Sequence, residues 1–297
     1  MKTVYINREV KNHAWGGGAH FVRSFVNLAN ENGFKIMSKE QLREGFRPNY
    51  IFIAGLDEED GHPSAEKIVN HFHGSSTKII YRVNDCDARK GTHGVDERIN
   101  QISKKSDGII HVSNWMKEYH AAVPVKTCVI RNGVDTNIFK PNKKFDNGKI
   151  NIVTFHWSDN KHKGYDLHQK LDDFVGENDQ FSYTYIGRHQ NKFKNTIEIK
   201  PLYGVPLGEE LGKYDISITG TIADPGPNTC LESIACGLPT YASIFSGGAA
   251  EFVDKDHVFD SWDGVKSILL NKQYLPNSFF PTTWEDCIQK VYSFIGE

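Results

Sequence analysis

The chain has 297 residues, of which 38 % are hydrophobic and 24 % charged, which suits a globular protein of one large or two ordinary domains. Its 35 basic and 37 acidic side chains leave a net charge of −2, without the basic excess of a dedicated nucleic-acid binder. No window approaches the roughly 18 apolar residues of a membrane span. The opening MKTVYINREVKNHAWGGG lacks an apolar core long enough for a secretory signal. Five cysteines, at 86, 128, 230, 236 and 287, are odd in number and not closely paired, which argues against a disulfide framework and a zinc site. The expectation is a cytoplasmic protein with reduced thiols.

In chain order, KTVYIN (2–7) reads as a strand, and a loop with Gly16, Gly17 and Gly18 follows. AHFVRSFVNLANENG then carries Phe21, Phe25, Leu28 and Ala29 at helical spacing and closes on Gly33. Strands are expected at 50–55, 78–84, 108–113 and 126–132, with helices at about 64–73, 95–105 and 115–122 between them. The polar run KPNKKFDNGK (140–149) has no apolar periodicity and reads as an interdomain linker. Alternation restarts with strands at 151–157, 183–187, 215–220 and 239–244 and helices within 164–175, 207–214 and 228–237. The final WEDCIQKVYSFIGE places Cys287, Ile288, Val291, Tyr292 and Ile295 on one helical face, which could pack on either half. Such alternation implies βαβ units and parallel sheets. The predicted fold class is α/β, with two doubly wound Rossmann-like domains facing across a cleft. Ligands of such sheets bind outside the carboxyl ends of the strands.

The stretch ADPGPNTCLESIACGLPTYAS (223–243) follows the strand DISITG and opens a helix. A helix N-terminus offers unpaired N–H groups and partial positive charge, both suited to phosphate. Asn228 and Thr229 are good capping residues. Glu232, about one turn in, can accept hydrogen bonds from a ribose diol, and Asp224 from another set of hydroxyls. Two acceptor-only groups beside a phosphate site describe a receptor for a nucleotide sugar. The same spacing also suits a Glu232 that complements the helix dipole and an Asp224 that caps a turn.

DPGPNTCLESIACGLP resembles the acid-x7-acid signature of the retaining group 1 glycosyltransferases, often called family 4, which have the GT-B fold. VIRNGVDTNIFKP (129–141), HWSDNKHKGYDL (156–167) and SGGAAEFV (246–253) resemble further segments of that family, in the same order. The resemblance implies that Glu232 holds the ribose, and that Asp224 with the amides near Gly226, Asn228 and Thr229 holds the donor sugar. It implies that Lys163 neutralises the donor phosphates and that the glycine-rich loop, Gly17 and Gly18 included, approaches the diphosphate. The chain departs from the family in four ways. Asp224 stands where glutamate is usual, Pro225 and Pro227 cannot donate N–H groups, and the family's phosphate-binding arginine is missing beside His156 and Ser158. Arg188 and Lys161 are the candidates to replace its charge.

YRVNDCDARKG (81–91) follows a strand and carries Arg82, Asp85, Asp87 and Arg89. The family places a catalytically important histidine or aspartate in this part, and Asp85 is the leading candidate, followed by Asp87, His93 and His111. The implied function is a retaining glycosyltransferase moving a sugar from a nucleoside diphosphate sugar to a hydroxyl of a glycan, glycolipid or glycoconjugate. Residues 1–140 would take the acceptor and 150–297 the donor, with the C-terminal helix free to cross back. The resemblance implies no metal and no cofactor beyond the donor substrate. A lipid-linked acceptor would bring peripheral membrane contact. Alternatives are a nucleotide-sugar epimerase of the same fold and a non-catalytic nucleotide-sugar-binding protein. A nicotinamide-dependent dehydrogenase is disfavoured because Gly-Gly-Gly-Ala-His lacks Gly-x-Gly-x-x-Gly.

Overall fold

The computed structural model describes residues 1–11, 17–142 and 146–297; Gly16 of the glycine-rich loop and residues 143–145 of the polar run lie outside them. The first half of the chain contains strands β1 (Lys2–Ile6), β2 (Phe34–Ile36), β3 (Tyr50–Ile53), β4 (Lys78–Val83), β5 (Gly108–His111) and β6 (Lys126–Val129). Its helices are α1 (Gly17–Asn27), α2 (Lys39–Arg43), α3 (Ala65–Phe72), α4 (Asp87–Lys90), α5 (Val95–Lys104) and α6 (Asn114–Tyr119). The second half adds β7 (Ile150–His156), β8 (Phe181–Gly187), β9 (Ile197–Ile199), β10 (Ile216–Thr219), β11 (Thr240–Ser243) and β12 (Val258–Phe259). Its helices are α7 (Tyr165–Glu177), α8 (Gly204–Leu211), α9 (Asn228–Ala235), α10 (Trp262–Asn271) and α11 (Trp284–Gly296). The chain divides into two compact units: Met1–Asp87 with Thr92–Gly133 and Trp284–Glu297, and Ala88–Gly91 with Val134–Thr283.

The first unit is a six-stranded sheet in the order β2-β1-β3-β4-β5-β6, parallel throughout. Phe21 and Phe25 from α1 meet Phe52 of β3, with ring centroids 5.5 and 4.7 Å away. The amphipathic face predicted for the C-terminal helix buries Cys287, Ile288, Val291, Tyr292 and Ile295 in this same core. Tyr292 packs 4.6 Å from the Phe25 ring and donates its hydroxyl proton to the Phe25 carbonyl at 2.7 Å. Such aromatic pairs add about 0.5–1.5 kcal/mol each beyond area burial.

The second unit is a six-stranded parallel sheet in the order β12-β11-β10-β7-β8-β9. Both faces are covered, as an all-parallel sheet requires. Along β7, Ile152 joins the cluster of Leu171, Tyr183 and Val265, while its neighbour Val153 joins that of Phe139, Leu207 and Leu211. The winding starts at β7, runs outward to β9, then restarts at β10 on the other side. The topological switch point, where the order reverses, therefore lies between β7 and β10. A crevice opens there outside the carboxyl ends of the strands.

Candidate functional site

Two loops leave this switch point. The loop after β7 runs from Trp157 to a single 3-10 turn, Lys161–Lys163, before α7 begins. Asn160 caps that turn, its side-chain oxygen accepting the His162 N–H at 2.8 Å. Gly164 follows at φ +98°, and a Cβ there would lie 2.7 Å from the Gly220 backbone. Only glycine lets the two loops pass so closely. The loop after β10 is tied to the first by the Ile222 N–H, which donates to the His162 carbonyl at 2.7 Å. It is also tied to Ser246–Gly248: the Asp224 N–H donates to the Ser246 carbonyl, and the Asp224 carbonyl accepts from Gly248. Gly247, at φ +71°, permits that approach, since a Cβ would fall 2.8 Å from the Asp224 carbonyl oxygen. These ties give the Gly-Gly of SGGAAEFV a physical role.

The loops bring Lys163 and Asp224 together, with Nζ 2.5 Å from Oδ2 and both side chains largely buried. Burial alone would raise the Asp224 carboxyl, but the charges of Lys163 and then Arg89 hold it well below the usual carboxylate range. Its Oδ1 accepts the Gly226 N–H at 3.3 Å. That amide, expected at the donor sugar, is thus engaged within the turn.

Helix α9 begins at Asn228, with Pro227 as the capping residue and no side-chain cap. The expected caps are therefore corrected: proline has no donor to lose at this position, Asn228 already lies in the helix, and the Thr229 hydroxyl is buried without a hydrogen-bond partner among the described residues. The Nε2 of His156, at the end of β7, is buried and unpartnered as well. Both residues line a cavity of about 10 Å³ between β7, β10 and the start of α9. Glu232, one turn into α9, is partly accessible, with no hydrogen bond or ion pair to its carboxylate among the described residues. Burial pushes its carboxyl up to about 7.

Beside Lys163 opens a cavity of about 450 Å³. Four cationic side chains line it, Arg89, Lys90, Lys161 and Lys163, against one acid, Asp159, with Ser158, Asn160 and Gln190 completing the lining. Ser158 and Lys161 are thus both part of this lining. Arg188 does not line this cavity. It is exposed, with its guanidinium 4.4 Å above the Trp157 ring. Sequence spacing did not single out Arg89, Lys90, Gln190 or His162 for this place; the only signal was the clustered charge of DARKG.

In the first unit, Gly17 and Gly18 form the first residues of α1 rather than the preceding loop. Asp85 follows the carboxyl end of β4 and accepts the Cys86 N–H at 3.1 Å. Asp87 is no free catalytic acid: its carboxylate accepts from the N–H groups of Val95 and Asp96 and from the Thr92 hydroxyl, fixing the start of α5. Arg82 is buried, donating to Asn132 at 2.6 Å and stacked 4.2 Å from the Phe21 ring. His111 is a core residue 3.2 Å from His120, and burial lowers it to about 4. His93 is exposed. Among the described residues, Asp254, Asp256 and His257 are the one cluster with metal-ligand spacing. There Asp254 accepts from the Ser278 hydroxyl and N–H, and His257 donates to the Leu275 carbonyl, so their visible work is to hold a loop.

No family model matches this chain, and no curated protein matches it. Solved structures do. A sucrose-phosphate synthase from Thermosynechococcus elongatus superimposes with a TM-score of 0.65 at 11 % identity, covering 99 % of this chain and 94 % of its own. The fold is that of the GT-B glycosyltransferases. HepE of Anabaena, solved with UDP and glucose, gives a TM-score of 0.65 at 12 % identity over 99 % of this chain and 95 % of that one. The lipopolysaccharide outer core galactosyltransferase WaaB gives 0.64 at 11 % identity, with 99 % and 95 % coverage.

Proposed function

We propose that the chain is a retaining glycosyltransferase that binds a nucleoside diphosphate sugar at the β7–β10 switch point of its second unit. The observation that carries this reading is the Lys163–Asp224 pair at the edge of a cavity lined by four cationic side chains, with Glu232, whose carboxylate has no partner among the described residues, on the helix that follows Asp224. The cavity suits the diphosphate. Glu232 suits the ribose diol. Asp224 and the start of α9 face the sugar. The bound nucleotides and sugars of HepE, with UDP and glucose, and of the pneumococcal GtfA, with UDP and GlcNAc, agree with such a donor.

In the reaction the anomeric C–O bond to the diphosphate breaks, and a new bond forms to the acceptor oxygen on the same face. The acceptor proton passes to the departing phosphate oxygen. Negative charge grows on that phosphate, and Lys163 with its neighbouring cations stabilises it electrostatically, as preorganised charges do in a water-poor site. Fixed side-chain cations fill the role that a metal plays elsewhere, so chelators should leave turnover unchanged. The acceptor, a glycan or lipid-linked glycan, belongs to residues 1–140. Asp85 is the candidate to meet its hydroxyl. No helix among the described residues is long and apolar enough to cross a membrane, so a lipid-linked acceptor would be met at the membrane surface.

A panel of nucleotide sugars, scored by thermal shift and by diphosphate release with and without glycan acceptors, tests this. Stabilisation by one donor and acceptor-dependent release are expected. Consumption of a donor without acceptor would replace the reading with an epimerase, and binding with no turnover across the panel would leave a nucleotide-sugar-binding protein.

A further inference from the structure

The segment Ala88–Gly91 belongs to the second unit, although the chain on either side of it belongs to the first. It delivers Arg89, half-buried, to the lining of the 450 Å³ cavity that the loop after β7 also lines. His162 ties this segment to the loop after β7. The His162 Nδ1 donates to the Ala88 carbonyl at 3.1 Å, immediately before Arg89. The backbone of the same histidine accepts from Ile222 at 2.7 Å and donates to Asn160 at 2.8 Å. His162 thus joins the Arg89 segment, the Lys163 loop and the Asp224 loop at one point. The charge of Arg89 reaches Asp224 and acts on it in the same sense as Lys163.

We propose that Arg89 is a diphosphate-binding residue of this site and that His162 is the positioning residue that holds it there. The proposal rests on the nucleotide-sugar reading above. A guanidinium offers a planar fork of donors to two phosphate oxygens, which an ammonium cannot match. Lys163 reaches the cavity from the loop after β7 and Arg89 from the Ala88–Gly91 segment, so an anion in the cavity meets cations from two separate stretches of the chain. The second unit carries no arginine on its own loops at this wall; Arg188 is engaged with Trp157.

Titration calorimetry with inorganic pyrophosphate isolates this contact from base and sugar. The full chain is compared with Arg89→Ala, Arg89→Lys, Lys163→Ala, His162→Ala, His162→Gln and the double variant Arg89→Ala/His162→Ala. Loss of Arg89 is expected to weaken pyrophosphate binding tenfold or more, with Arg89→Lys in between. His162→Ala should weaken it too, yet add nothing to Arg89→Ala, and His162→Gln, which keeps a donor, should recover most of the loss. Wild-type and Lys163→Ala behaviour separates the two claims. If wild type binds pyrophosphate, Lys163→Ala weakens it and Arg89→Ala does not, the Arg89 assignment falls while the donor site stands. If wild type does not bind pyrophosphate, the donor site falls and takes the assignment with it. Additive losses for the double variant overturn the positioning role of His162.

Discussion

Among the described residues no partner meets the Glu232 carboxylate one turn into α9, and burial pushes its carboxyl up to about 7. An acid in that state suits a diol, because a ligand that supplies hydroxyl protons favours the carboxylate. Glu232→Ala is expected to weaken nucleoside binding by about 1.5–3 kcal/mol, the usual worth of charge-assisted hydrogen bonds; unchanged affinity by calorimetry sinks the ribose role. Wild-type affinity should rise with pH through about 7 as the carboxylate forms, and Glu232→Gln should flatten that rise. Lys163 makes a different demand. In the proposed reaction it would act on charge that grows during bond breaking, so Lys163→Ala should lower kcat more than it weakens nucleoside binding; equal losses in both argue against a leaving-group role. At this scale the sequence was readable in part. Glu232, Asp224 and Lys163 stand in spacings that carry chemical sense, whereas Arg89 reaches the cavity through tertiary docking that no local spacing records. Arg188 follows a strand as the sequence indicates, and its contact with the Trp157 ring is likewise a tertiary feature that local spacing does not show.

The elements carry the site through close loop crossings. Gly164 and Gly247 both adopt positive φ, and both lack room for a Cβ. Replacement of either by alanine should cost about 1–3 kcal/mol of stability from backbone strain and should part Lys163 from Asp224. Chemical denaturation of Gly164→Ala and Gly247→Ala checks this, and a midpoint unchanged from wild type would show that the loops separate freely. The long buried strands and the helices around them were legible because their apolar runs and helical spacing extend over several residues. The short edge strands β2, β9 and β12 were not. Two or three residues cannot display alternation, and Ile197–Ile199 is set by pairing with β8 rather than by its own pattern. The helix cap of α9 was also misread, since Asn228 and Thr229 have capping chemistry but Pro227 holds the position.

Across the molecule, burial decides the response to acid. His156, His168, His111 and His120 are all held neutral by burial, His168 at about 3 and His111 at about 4. Below about pH 6.5 the unfolded chain takes up protons on these histidines that the folded chain cannot, so stability falls as pH drops. Each fully depressed group costs roughly 1.4 kcal/mol per pH unit in that window. Glu232 works in the opposite sense between its unfolded value and about 7, because the folded state keeps its proton, but it is one group against four. The urea midpoint is therefore expected to drop between pH 7 and pH 5, and a midpoint that holds or rises would contradict the neutral burial of the histidines. The doubly wound class of each half followed from alternation alone. The strand order did not, nor did the return of α11 to the first unit, because parallel pairing and long-range helix docking leave no periodic trace.

The central claim is sugar transfer from a donor held at Lys163, Asp224 and Glu232. Mass spectrometry of glycan acceptors incubated with the protein and each nucleotide sugar tests it most directly. One added sugar mass from a preferred donor is expected, with the yield greatly reduced in Lys163→Ala and the donor's anomeric configuration retained in the product by NMR. No added mass from any donor that binds, or equal yield from Lys163→Ala, would contradict it.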